Sequence, residues 1–240
     1  RELMISSSLE KTPTVVIAHR GPGNHLESVF QDLKLWFENI VVVGSANSCF
    51  SQIIKDNGGF WVNSDSLHIG ELWEKGMKTQ QAGWYLLVQD IEYLSSVLKE
   101  SVIETVRINQ VKPSFYPFER KSFFLKQRLK YNLNWSYDPP SGLLFIQRPI
   151  SFDDFFHLAK TESLKGELIH FGERTLNEAI QNSTHRADLL ADQLYKKSLN
   201  LRKQKLAIDA VKYSLKNFIT TWFIRRGMRE GFEGLVFCLL

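Results

Sequence analysis

Cysteine is scarce in this chain of 240 residues: Cys49 and Cys238 stand far apart. Neither has the Cys or His spacing of a zinc site or of a secreted disulfide framework, so a reducing, cytoplasmic setting is expected. No run of about eighteen apolar residues occurs, and a membrane-spanning helix is therefore not expected. There is no internal repeat and no low-complexity linker. No basic start followed by an apolar core stands at the N-terminus, but the chain opens on Arg1, so a missing leader excludes little. "HRGPGN" (His19 to Asn24) lacks both the G-K-S/T ending of a P-loop and the three glycines of a dinucleotide fingerprint, and reads as a tight turn. No motif sets a nucleophilic Ser or Cys beside a base.

What is present suits a globular α/β protein. The composition is 43% hydrophobic and 12% aromatic, enough for a substantial core. Net charge is +4, and the segment from Lys196 to Arg229 holds ten of the 30 Lys and Arg residues. Two readings stand for it: a solvated helix face, or a face that attracts phosphate groups or an anionic membrane. The chain ends on "GLVFCLL", which reads either as a core element or as the start of something longer.

"TVVIA" (Thr14 to Ala18) and "IVVVG" (Ile40 to Gly44) are uncharged β-branched runs, as expected of strands covered on both faces. Between them, Leu26, Val29, Phe30, Leu33 and Phe37 recur at helical spacing. A helix "FSQIIKDNGG" closed by Gly58 and Gly59, a strand "FWVN", a helical "LHIGELWEKGMKTQQAG" and an apolar strand from Gly83 follow. The order β-α-β-α-β-α-β predicts a mostly parallel sheet with helices on both faces, binding its ligand at the carboxyl ends of the strands. Short strands are expected at "SVIETVRI" and "SGLLFIQR". From Glu178 the sequence is helical, with apolar stripes Ala187, Leu190, Ala191, Leu194 and Leu215, Phe218, Ile219, Trp222. The expected division is residues 1–177 as the sheet domain and 178–240 as a basic helical appendage.

The fourth strand, "GWYLLVQDIEYLS" (Gly83 to Ser95), breaks off on Gln89, Asp90, Ile91 and Glu92. If extended structure continues, Asp90 and Glu92 project to one side, where two acids repel unless a cation or polar ligand lies between them. They are the candidate metal ligands.

Further segments are "NWSYDPPSGLLFIQR" (Asn134 to Arg148), "SFDDFF" (Ser151 to Phe156), "SLKGELIHF" (Ser163 to Phe171) and "WFIRRGMREGFEGLVF" (Trp222 to Phe237). With "IVVVGSANS" and the Gly-Trp strand, their order resembles the GT-A half of family 2 glycosyltransferases, in particular the lipopolysaccharide-core β-glucosyltransferase branch. The likeness spans nearly the whole chain. It implies a GT-A-like fold and transfer of a hexose from a nucleotide-diphosphate sugar to a glycan or lipid-linked acceptor of the cell-surface polysaccharide type. Mg or Mn, weakly held by Asp90 and Glu92, would bridge the diphosphate. The family positions put Gly44, Gln89, Asp90, Glu92 and His170 at the donor, with His170 equally readable as a buried structural histidine.

The chain departs from the family where carboxylates matter. Gly44 stands where members hold an aspartate, and Gln89 and Ile91 occupy the DxD register, one residue away from the acids. A bulge that re-aims Asp90 would restore the site; otherwise cations must offset the phosphate charge, with Arg20 and Lys75 the candidates. The general base implied by the resemblance is Asp154 with Asp153 beside it, although aspartates there equally suit a helix cap. Trp73, Trp84 and Trp135 read as core or as stacking surfaces. The expected partners are a nucleotide-diphosphate sugar, the acceptor, a membrane surface at its inner, cytoplasmic face and a second copy of the chain; nucleic acid is not among them. A catalytically silent module of the same fold, used for binding, is the alternative function.

Overall fold

The computed structural model describes residues 12–20, 25–66, 68–79, 83–107, 112–130, 140–146, 162–197, 211–212 and 214–239. Asp153, Asp154 and Trp135 lie outside the described residues. The chain divides into two compact units, Arg1–Glu119 with Tyr137–Leu168, and Arg120–Ser136 with Ile169–Leu240. The second unit is thus larger than a tail beginning at residue 178.

The first unit carries a six-stranded sheet built from β1 (Thr14–Ala18), β2 (Ile40–Gly44), β3 (Phe60–Asn63), β4 (Gly83–Gln89), β6 (Ser114–Pro117) and β9 (Gly142–Ile146), in the order β3-β2-β1-β4-β9-β6. β1 pairs in parallel with both β2 and β4, and β2 with β3, whereas β9 runs antiparallel to β4 and to β6. The mixed α/β architecture with a mostly parallel sheet is therefore as the alternation of segments implies.

Alternation along the strands builds two cores, one on each face. Val15, Ile17, Ile40, Val42, Leu86 and Val88 face α1 (Leu26–Lys34), α2 (Phe50–Asp56) and α4 (Ser96–Arg107), whose Leu26, Phe30, Ile54, Leu98 and Val102 join them. Val16, Val41, Val43, Tyr85 and Leu87 face α3 (Ile69–Met77) through Leu72, Trp73 and Met77. Each such side chain removed from water contributes about 1.5–3 kcal/mol before entropy is counted. Polar contacts then fix α3 against β4: the Trp73 indole N–H donates to the Val88 carbonyl at 2.9 Å, and the Tyr85 hydroxyl donates to the Met77 carbonyl at 3.3 Å.

One expected strand is a helix. The described part of "SVIETVRI", Ser101 to Arg107, belongs to α4, where Leu98, Val102, Thr105 and Val106 are buried. Its β-branched residues suggest a strand, but burial at spacings of three and four is a helical stripe, and packing against the sheet outweighs local preference. α4 is also tied to α1 by a buried Lys99, whose ammonium meets Asp32 Oδ1 at 2.6 Å and lies over the Trp36 ring. The "DNGG" ending of α2 forms as expected: Gly59 N–H donates to Ile54, Gly58 N–H to Lys55, and Gly58 takes φ 76°. These are the paired bonds of a Schellman end.

In the second unit β7 (Arg120–Phe124) and β8 (Gln127–Arg128) make a hairpin, with β10 (Leu168–Phe171) beside β7. α5 (Leu176–Lys197) follows. Residues 214–219 are helical and run into a π-helical turn, Thr220–Ile224, then a 3-10 turn, Gly227–Glu230, and α6 (Gly231–Leu239). Gly234 lets this bend close, since a Cβ there would lie 2.0 Å from the Gly227 carbonyl oxygen. "GLVFCLL" is thus largely helix, with Val236 and Phe237 packed with Phe124 and Leu129, and Cys238 also buried. Among the described residues, no helix is long and apolar enough to cross a membrane.

Candidate functional site

Strand order places the site. β1 connects onward through β2 and β3 on one side, while β4 lies on its other side, so the sheet reverses direction between β1 and β4. Ligands of open α/β sheets bind outside the carboxyl ends of the strands at such a reversal. At these ends stand His19 and Asp90, just past β1 and β4, and Gly44, the last residue of β2.

Register brings the three into one row. Ala18 is paired with Val43 on β2 and with Gln89 on β4, so the next residues, Gly44, His19 and Asp90, stand side by side. They continue the odd-numbered face of β1 and the even-numbered faces of β2 and β4, the face covered by α1 and α2. His19 N–H donates to the Val43 carbonyl and Asp90 N–H to the Ala18 carbonyl, extending the ladder past the strands proper. His19 Nδ1 then donates to Asp90 Oδ2 at 2.6 Å, and both residues are buried. Phe50 and Trp61 close on the imidazole edge-on, at 5.8 and 5.9 Å between ring centroids.

Gly44 leaves room for this ring. A Cβ at position 44 would lie 2.9 Å from His19 Cδ2 and 3.1 Å from Trp61 Cζ2. The imidazole therefore occupies the space into which an aspartate at position 44 would extend.

A cavity of about 400 Å³ opens above the ends of β1, β2 and β3, lined by His19, Arg20, Ser45, Asn47, Ser48, Cys49, Phe50, Ser64, Asp65 and Ser66. The lining is rich in serine hydroxyls and carries the Arg20 guanidinium. Asp65 is the single carboxylate in it among the described residues, and its Oδ1 accepts from the Ser45 hydroxyl at 3.1 Å. The volume lies in the range that takes a small ligand or a nucleotide.

The acids of β4 do not form the expected pair. The strand stops at Gln89, Asp90 and Ile91 make a turn, and Glu92 opens β5 (Glu92–Leu94). Alternation does not carry through a turn, so the two carboxylates take separate partners. Glu92 is fully buried; its Oε2 accepts from Gln89 N–H at 2.8 Å and from the Ser141 hydroxyl at 2.5 Å. It fastens the turn to the residue preceding β9. Oxygen-rich divalent-ion sites need several convergent carboxylates or carbonyls, and among the described residues no group of three His, Cys, Asp or Glu could hold a metal. With Asp90 engaged by His19 and Glu92 by the turn, the described residues do not fit a DxD-bound Mg or Mn.

Of the other expected donor residues, Arg20 lines the cavity. Lys75 does not: it is exposed on α3, beyond Trp73, whose indole already reaches Val88. Gln89 is buried, and its Nε2 donor has no hydrogen-bond partner, a defect that a ligand or water would relieve. His170, in the second unit, is buried on β10 beside a space of about 10 Å³, the lower limit for one water and too small for a phosphate. Compared with models of known protein families and with curated proteins, the chain matches none. His19 is the residue that sequence reasoning missed. Its signal was parity: His19 is two residues past Ile17 and Asp90 two past Val88, on strands that the structure pairs.

Two thiols differ sharply. Cys49 is exposed and on the cavity wall, whereas burial of Cys238 in the second unit pushes its thiol from the ordinary 9.0 up to about 11. Burial also raises the Tyr85 phenol.

Proposed function

We propose that this protein is a GT-A-like glycosyltransferase that takes a hexose from a nucleotide-diphosphate sugar to a glycan or lipid-linked acceptor of the cell-surface polysaccharide type. The carrying observation is the cavity at the carboxyl ends of β1, β2 and β3, beside the strand reversal and lined by Arg20, His19 and hydroxyls. A guanidinium can meet two phosphate oxygens at once, hydroxyls and the Asn47 amide complete the hydrogen bonds, and the Asp65 carboxylate accepts from sugar hydroxyls. The sequence resemblance supports the reaction, and the position and chemistry of the cavity support a donor site. The acceptor's proton is assigned to Asp154, with Asp153 beside it, and work at the inner, cytoplasmic membrane face is part of the proposal.

Cys49 offers a direct test, because it lines the cavity and Cys238 is buried. Uridine diphosphate should slow maleimide labelling of Cys49 at least about fivefold, and uridine-diphosphate hexoses should be slowly hydrolysed or transferred in an Asp154-dependent manner. Unchanged labelling at saturating nucleotide would refute the donor site. The second reading, a silent binding module of the same fold, is favoured by one observation: Asp90 and Glu92 are both held by protein groups. Protection of Cys49 without turnover of any hexose donor would select it.

A further inference from the structure

We infer that the donor diphosphate is held without a divalent cation, by Arg20 and by His19 backed by Asp90. This inference rests on the donor-site reading above and deepens it. The negative charge of a nucleoside diphosphate must be met by something in the cavity. Among the described residues its wall carries one carboxylate, Asp65, which accepts from Ser45, against Arg20, His19 and the hydroxyls of Ser48 and Ser64; the Ser66 hydroxyl donates to Glu71. That set matches an anion and not a hard cation, which requires convergent oxygen ligands.

The His19–Asp90 pair supplies the positioning. Asp90 Oδ2 takes Nδ1 of the ring at 2.6 Å, so the nitrogen left to serve the cavity is Nε2. Phe50 and Trp61 fix the ring's tilt, and Gly44 lets it stand where it does. A side chain ordered in this way before the ligand arrives loses little freedom on binding. Asp90 is a positioning residue: it acts on the phosphate through His19. The acid closest in sequence to the family motif thus serves to orient an imidazole in place of a metal.

The test is calorimetry of uridine diphosphate on the whole chain, in EDTA and in manganese. The expected result is binding in EDTA within about twofold of that in manganese, weakened about tenfold or more by Arg20→Gln, as loss of a charge-assisted contact implies. Because His19→Gln alone strands a buried carboxylate and could unfold the protein, it is paired with Asp90→Asn. The double variant should melt near the wild-type temperature and bind about tenfold more weakly. Asp90→Asn alone keeps an acceptor for Nδ1 and should lose less than the double variant, an ordering that a merely structural role would not produce. Binding that requires manganese would overturn the inference while leaving the donor site standing. Absence of binding in both conditions would overturn the donor site itself. Cation-independent binding indifferent to Arg20→Gln and to the double variant would overturn the assignment to these residues.

Discussion

Gly44→Ala should damage both the fold and the site through one methyl group. The new Cβ would stand 2.9 Å from His19 Cδ2, 3.1 Å from Trp61 Cζ2 and 3.2 Å from the His19 carbonyl oxygen. Carbon atoms in good contact sit about 3.5–4.0 Å apart, so the imidazole must retreat by roughly half an ångström or more. It has little room to do so: Phe50 and Trp61 flank it, and its bond to Asp90 is 2.6 Å long. Overpacking of this kind costs about 1–3 kcal/mol, or a fall in Tm of roughly 2–12 °C for a chain of this size. Gly83→Ala is the matched control, because a Cβ there meets nothing within 4 Å. Differential scanning calorimetry of the two variants reads the stability term, and titration with uridine diphosphate reads the site. We expect Gly83→Ala to melt within a degree or two of wild type, and Gly44→Ala to melt lower and bind more weakly. Equal melting temperatures for the two variants would refute the packing argument, and unchanged nucleotide affinity in Gly44→Ala would refute the claim that His19 serves the cavity.

Other outcomes can be checked separately. Ser141→Ala removes the hydroxyl donated to buried Glu92 and should cost about 1.5–3 kcal/mol, measured by thermal melting, with nucleotide affinity unchanged. Cys238 should resist alkylation in the native state. Because its folded pKa is raised to about 11 from 9.0, the unfolded chain releases that proton first as pH climbs, so native stability should fall between pH 9 and 11; a Cys238→Ala variant should show a shallower decline there. The segment around Thr220–Leu239 exposes Phe223, Ile224 and Phe232 beside Arg225, Arg226 and Arg229. We expect it to carry the chain onto vesicles containing anionic lipid, with Phe223→Ser combined with Ile224→Ser cutting flotation at least about threefold. Trp222, which stacks on Phe218, should matter less; an equal loss from Trp222→Ala would count against that anchor assignment, and sedimentation would reveal a homodimer instead.

Much of the sheet was legible because its strands are covered on both faces. Uncharged β-branched runs such as Thr14–Ala18 and Ile40–Gly44 have few other uses, and the stripe Leu26, Val29, Phe30, Leu33 fixes the helix between them. α4 was not legible by composition, since Val102, Ile103, Thr105 and Val106 favour a strand until their burial spacing is known. The acids after β4 misled for a different reason. Alternation holds only while the chain stays extended, and the turn at Asp90 and Ile91 carries no signal as plain as Asn-Gly. The β7–β8 turn is equally quiet, with Leu125 and Lys126 at φ 48° and 67°, where glycine or asparagine would announce a hairpin. Long-range register made the His19–Asp90 pair, and local pattern alone does not contain it.

The antiparallel pairing of β9 with β4 also sets a timetable for synthesis. β1 to β4 emerge from the ribosome consecutively, and the parallel block β3-β2-β1-β4 can assemble while the rest is still being made. β4 then waits, one edge unpaired, for Gly142–Ile146 to appear, an interval of several seconds at roughly 5–20 residues per second. An apolar strand edge left open is a template for pairing with another chain. The Glu92–Ser141 bond attaches to the residue immediately before β9, so the same contact that closes the turn after β4 also delivers the strand that ends its exposure.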